Sequence, residues 1–238
     1  MNLQVYSYHK SGTMFLYKLF NTISKINNIQ YYSCNNIPSN NIEYYNDTTY
    51  NKIICPIRSV PTEFDNITQY IIHYRNPLDT MISEYYSFGF IHNVPKDNKY
   101  FIERRNKIQL QTIDEYCTSN DTLDVINTKY NNQLNWIKLH GNKKNVFISH
   151  YDKMYYHFDD WLKDIMSFLK LDYIQYNYIL NKYKDEFNNK NDKYNPTHLN
   201  LTHHRSGLSK QYLVELKKES IDYILTKLSP EIIDFYIT

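Results

Sequence analysis

The sequence has no alanine, four glycines in 238 residues, and five arginines against 22 lysines. Asn, Ile and Tyr fill the space these leave, a bias that codon drift in an AT-rich genome produces. Under such drift the surviving glycines mark places where another residue would not serve. The surviving arginines mark places where lysine cannot copy a planar fork of donors. No run approaches the roughly 18 apolar residues of a membrane span. Met1-Asn2-Leu3-Gln4-Val5 leads into a strand-like stretch without the apolar run and cleavage site of a signal peptide, so a cytoplasmic protein is expected. Cys34, Cys55 and Cys117 lack CxxC spacing and leave an odd thiol in any pairing, which reads as reduced structural thiols. A formal net charge of +2 gives no long-range field for nucleic acid, so no nucleic-acid partner is expected and anion recognition has to be local. His203 and His204 are adjacent without a third spaced ligand, and no metal is expected.

What is present reads as one domain over 1–238 with a substantial core. Apolar alternation predicts a strand over 3–8, then a helix from Thr13 to about Asn28 with Phe15, Leu16, Leu19, Phe20 and Ile23 on one side. Further strands are expected over 29–34, 52–57, 69–74 and 145–149. Helices are expected over 77–88, 108–118, 123–139, 155–169, 173–187, 210–228 and 230–236. The Asn-rich stretch 35–51 reads as a loop, as does the low-complexity tract 188–195. Strands alternating with helices predict a three-layer α/β fold, a central mostly parallel sheet with helices on both faces.

Two junctions carry chemistry. His9-Lys10-Ser11-Gly12-Thr13 falls where strand one hands over to helix one, so backbone N–H groups and the helix start face a common anion position. Gly12 admits close approach, Ser11 and Thr13 add hydroxyls, and Lys10 adds a mobile charge. The plain alternative is a glycine turn with a Thr helix cap. It is not a Walker A loop, because the lysine precedes the glycine and no upstream glycine exists. At the second junction, Asn76 suits the cap and Pro77 the first helical position. Arg75 is thereby placed at the carboxyl end of a strand, where open α/β sheets bind ligands. A guanidinium there grips a phosphate with two hydrogen bonds, unless it pairs with Asp79 as a helix-start salt bridge.

Together these segments resemble the sulfotransferase family that uses 3′-phosphoadenosine 5′-phosphosulfate. That family has a PKSGTTW-like first motif and an RNPxDxxxS-like second, here His9 to Phe15 and Arg75 to Ser83. His204-Arg205-Ser206-Gly207 resembles its late RKGxxGxW-like loop. Leu208-Ser209-Lys210-Gln211-Tyr212 lacks the second Gly and the Trp, which implies a shorter or differently shaped lid. Tyr151-Asp152-Lys153-Met154 is similar to its YEDL segment. The resemblance implies a P-loop NTPase-like fold, the nucleotide as donor, and Lys10 at the sulfuryl-bridging oxygen. It also implies Ser11, Gly12, Thr13 and Met14 at the 5′-phosphate, Phe15 and Tyr151 near adenine, and Arg75, Ser83, Arg205, Ser206 and Gly207 around the 3′-phosphate. Met14 stands in for a second Thr, one hydroxyl fewer, worth about 0.5–1.5 kcal/mol of binding.

The family's KTHxP-like segment supplies a His base, but Ile57-Arg58-Ser59-Val60-Pro61 has serine there. Glu63, Asp65 and His92 are the ionisable candidates for deprotonating the acceptor, a role worth roughly 10²- to 10⁴-fold. The implied activity is sulfuryl transfer to a hydroxyl, or less readily an amine, of a small-molecule or carbohydrate acceptor. The competing expectations are a nucleotide-binding protein without chemistry, motivated by Ser59, and a P-loop NTPase or small-molecule kinase. Oligomeric state is left open.

Overall fold

The computed structural model describes residues 1–33, 51–93, 97–188 and 207–237. Among these, β1 (Asn2–Ser7), β2 (Gln30–Tyr32), β3 (Lys52–Ile57), β4 (Gln69–Tyr74) and β5 (Val146–His150) form one sheet in the order β2-β3-β1-β4-β5. All four pairings are parallel. Helices flank it, so the three middle strands, β3, β1 and β4, are largely buried, and every residue of β3 is buried.

The chain divides into two compact units, Met1–Tyr74 with Gln133–Asn191 and Arg75–Asn132 with Asp192–Thr238. The first holds the sheet, α1 (Thr13–Ile26), α6 (Tyr151–Tyr156), α7 (Phe158–Phe168), α8 (Tyr173–Asn188) and the end of α5 (Asn120–His140). Strand periodicity sorts its core into two layers. Tyr6, Ile54, Tyr70, Ile72 and Val146 meet Trp136 and Ile137 of α5 on one face. On the other, His73 lies against Trp161, Phe147 against Phe168, and Tyr31 against Tyr17 of α1. Leu16, Leu19, Phe20 and Ile23 make the buried stripe expected for α1. Each such side chain contributes about 1.5–3 kcal/mol by leaving water.

The second unit holds α2 (Pro77–Tyr86), a π-helical turn at Ser87–Ile91, α3 (Lys99–Gln109), α4 (Ile113–Thr118), the start of α5, α9 (Tyr212–Glu215), α10 (Lys218–Lys227) and α11 (Pro230–Tyr236). Polar ties close it: Tyr86 Oη donates to Glu215 Oε2 at 2.6 Å, the Lys217 N–H to Asp114 Oδ1 at 3.0 Å, and Asn127 Nδ2 to the Lys227 carbonyl at 2.9 Å.

Three expected helices break, each for a local reason. The 108–118 stretch splits because Thr112 and Glu115 form a reciprocal capping box that starts α4 afresh. The 155–169 stretch belongs to α6 and α7, divided at His157, whose φ of −133° is not helical. The 210–228 stretch divides into α9 and α10 where Leu216 and Lys217 are extended. Strand 29–34 shortens to the three residues of β2. The loops expected over 35–51 and 188–195 lie, but for Asn51 and Asn188, outside the described residues. No helix among the described residues is long and apolar enough to cross a membrane.

Candidate active site

In the first unit the chain leaves the carboxyl end of β1 and doubles back tightly, the Ser11 N–H donating to the Tyr8 carbonyl at 3.3 Å. Lys10 and Gly12 both take left-handed backbone, at φ 70° and 77°. A lysine there costs about 1–2 kcal/mol, strain of the kind that collects at functional loops. The Gly12 carbonyl accepts the N–H groups of Phe15 and Leu16 at 2.9 and 3.0 Å, opening α1 without a side-chain cap. Ser11 is 1% exposed and its Oγ has no hydrogen-bond partner among the described residues. A buried hydroxyl left unpaired beside opening helix N–H groups fits an anionic oxygen.

Tyr151 forms the wall of this loop. A Cβ on Gly12 would lie 3.2 Å from its Cε2 and 2.8 Å from Met154 Cε. Its ring meets His73 edge-on, and His73 Nδ1 lies 2.7 Å from Ser149 Oγ, which also accepts Trp161 Nε1 at 2.8 Å. This buried His73–Ser149–Trp161 chain was not visible in the sequence, where His73 reads as one more strand residue. Gly12→Ala is expected to cost about 1–2 kcal/mol of stability, chiefly from φ, since the Met154 methyl can swing away; chemical denaturation measures it.

In the second unit Arg75 is 3% exposed and donates from Nη2 to the Leu208 carbonyl at 2.8 Å. Its own carbonyl accepts Tyr130 Oη at 2.8 Å, and that hydroxyl is 2.9 Å from Thr80 Oγ1. The Asn76 side chain caps α2 by accepting the Leu78 N–H at 2.9 Å, with Pro77 following as expected. Asp79, fully buried, accepts the N–H groups of Lys210 at 2.7 Å and Tyr212 at 3.3 Å. The motif's acidic residue thus holds the late loop against the start of α2. Ser83 follows one turn on and is half-buried.

A family model, Sulfotransferase domain, matches residues 2–228 of this chain, whose parallel sheet has the order 2-3-1-4-5. The chain belongs to the sulfotransferase family. Members of it use 3′-phosphoadenosine 5′-phosphosulfate as donor. Among solved structures this sulfotransferase is similar to mouse sulfotransferase SULT7A1 complexed with PAP, at a TM-score of 0.64 and 19% identity, over 93% of this chain and 80% of that one. At that identity the likeness is one of fold. No curated protein matches the sequence.

Against the family pattern, two departures take physical form. Lys210 stands where the second Gly of the late motif is expected and has left-handed backbone, φ 58°, as does Gly207 at 65°. Tyr212, at the Trp position, is buried. Arg205 and Ser206 lie outside the described residues. Phe15 is 7% exposed and packs edge-on against Phe158, Tyr183 and Phe187, whereas Met14 is 54% exposed.

Of the ionisable candidates, Asp65 is committed to structure. Its Oδ1 accepts the N–H groups of Ile67 and Thr68 at 2.7 and 2.6 Å, and its Oδ2 accepts Tyr70 Oη at 3.0 Å. Burial pushes its pKa up, but these donors outweigh it and hold the carboxyl below its ordinary value. Ser59 and Glu63 are exposed. His92 is half-buried after the π turn, its ring near Phe88 and Phe101 and its carbonyl accepting Arg105 Nη2. Arg105 Nε also donates to the Phe88 carbonyl at 3.0 Å, fixing the segment that presents His92.

Proposed function

We propose that this sulfotransferase moves a sulfuryl group from 3′-phosphoadenosine 5′-phosphosulfate to a hydroxyl of a small-molecule or carbohydrate acceptor. The observation that carries this is the loop after β1, where a strained lysine and a left-handed glycine flank the buried, unpartnered Ser11 hydroxyl. Ser11, Gly12, Thr13 and Met14 would take the 5′-phosphate, with Tyr151 as the wall toward adenine. Arg75, Ser83, Arg205, Ser206 and Gly207 would hold the 3′-phosphate.

Transfer of an anionic sulfuryl group depends on in-line positioning and on positive charge where the leaving oxygen becomes anionic. Lys10 supplies that charge as the acceptor oxygen bonds to sulfur and the bond from sulfur to the bridging oxygen breaks. The acceptor proton passes to His92 or Glu63. Incubation with donor nucleotide labelled in its sulfuryl group and a panel of hydroxyl and amine acceptors is expected to give one labelled product per bisphosphate released. His92→Gln compared with Glu63→Gln tells the two bases apart, the true base losing about 10²-fold in rate or more. Nucleotide binding without transfer to any acceptor would instead favour a binding protein, the outcome to which Ser59 points.

A further inference from the structure

The described part of the late loop is pinned on both sides of one residue. On one side, the Leu208 carbonyl accepts Arg75 Nη2 at 2.8 Å and Gln211 Nε2 at 2.6 Å, which uses both its lone pairs. On the other, the Lys210 N–H donates to Asp79 Oδ2. Left-handed backbone at Gly207 and Lys210 fixes the turn between them. Ser209 sits in the middle, 9% exposed, and its Oγ is buried without a hydrogen-bond partner among the described residues.

Folded proteins rarely leave a buried hydroxyl unpaired, and such a group calls for an explanation in terms of a bound water, ion or ligand. The flanking contacts tie the backbone on either side of Ser209 to the Arg75 guanidinium and to Asp79 in the first turn of α2. A hydroxyl and a guanidinium complement each other on a phosphate: the fork supplies charge, and the hydroxyl supplies one directional donor to an oxygen the fork leaves open. We propose that Ser209 Oγ donates a hydrogen bond to the same anion as Arg75, the 3′-phosphate of the nucleotide. This rests on the nucleotide site proposed above and adds a ligand to it that the family pattern leaves unspecified.

The test is calorimetric titration of the wild type, Ser209→Ala, Ser209→Thr and Ser11→Ala with adenosine 3′,5′-bisphosphate and with adenosine 5′-monophosphate, which lacks the 3′-phosphate. Ser209→Ala is expected to weaken the bisphosphate about tenfold, leave the monophosphate within twofold, and melt near the wild type without ligand. Ser209→Thr, which keeps the hydroxyl, is expected to retain most of the affinity, and Ser11→Ala to weaken both ligands. Equal bisphosphate affinity in Ser209→Ala and wild type, or an equal loss for both ligands, would overturn the assignment while leaving the nucleotide site in place. A wild type that binds neither ligand would remove that site and this assignment together.

Discussion

Arg75→Ala is expected to lose about 2–5 kcal/mol of affinity for adenosine 3′,5′-bisphosphate, the range measured when one partner of a desolvated, hydrogen-bonded charge pair is removed. The guanidinium is buried and anchored by the Leu208 carbonyl, so its position is set before any ligand arrives. Preorganisation of this kind makes a donor worth more to a bound anion than the same group on a mobile surface chain. The fold is expected to survive, because Asp79 continues to hold Lys210 and Tyr212. Arg75→Lys keeps the charge but not the fork, and should recover only part of the loss. Calorimetry gives the affinities and far-ultraviolet circular dichroism checks the fold; a change under threefold in Arg75→Ala would contradict the role.

Lys10→Gly is expected to separate catalysis from stability. Glycine accepts the left-handed backbone of residue 10 without penalty, so the variant should gain about 1 kcal/mol of stability. In the proposed mechanism, loss of the ammonium removes positive charge where the leaving oxygen becomes anionic. Deleting a single such donor typically lowers kcat by about 10²- to 10³-fold. The dissociation constant of the bisphosphate should change far less, since the charge acts chiefly in the transition state. A protein that is more stable yet hundreds of times slower would show that the strain at Lys10 serves chemistry. Unchanged kcat would remove Lys10 from the mechanism.

Much of this was legible because the composition is so skewed. In a chain with four glycines and five arginines, Gly12 and Arg75 stand out, and each falls where a strand hands over to a helix. Asn76 and Pro77 announce the start of α2 by local capping chemistry alone. What escaped the sequence depends on contacts between distant segments. Asp79 reads equally well as a salt-bridge partner for Arg75; only the structure shows its carboxylate receiving N–H groups 131 and 133 residues along the chain. Lys210 gives no sign of left-handed backbone, because lysine rarely adopts it and the carboxylate that holds its N–H is remote. Asp65 looked like a candidate base until its oxygens proved to close the turn into β4. The breaks between α3 and α4 and between α6 and α7 were missed because apolar spacing continues through both, while a capping box and one non-helical residue decide the backbone.

The most direct measurement is the melting temperature of the unmodified protein with and without adenosine 3′,5′-bisphosphate at about a hundred times its dissociation constant. Binding at one site adds about 2.7 kcal/mol to the folded state, which for a chain of this length raises Tm by about 5–10 °C. No shift at saturating bisphosphate, or a shift that appears only with ATP and magnesium, would contradict the proposed sulfuryl-donor site.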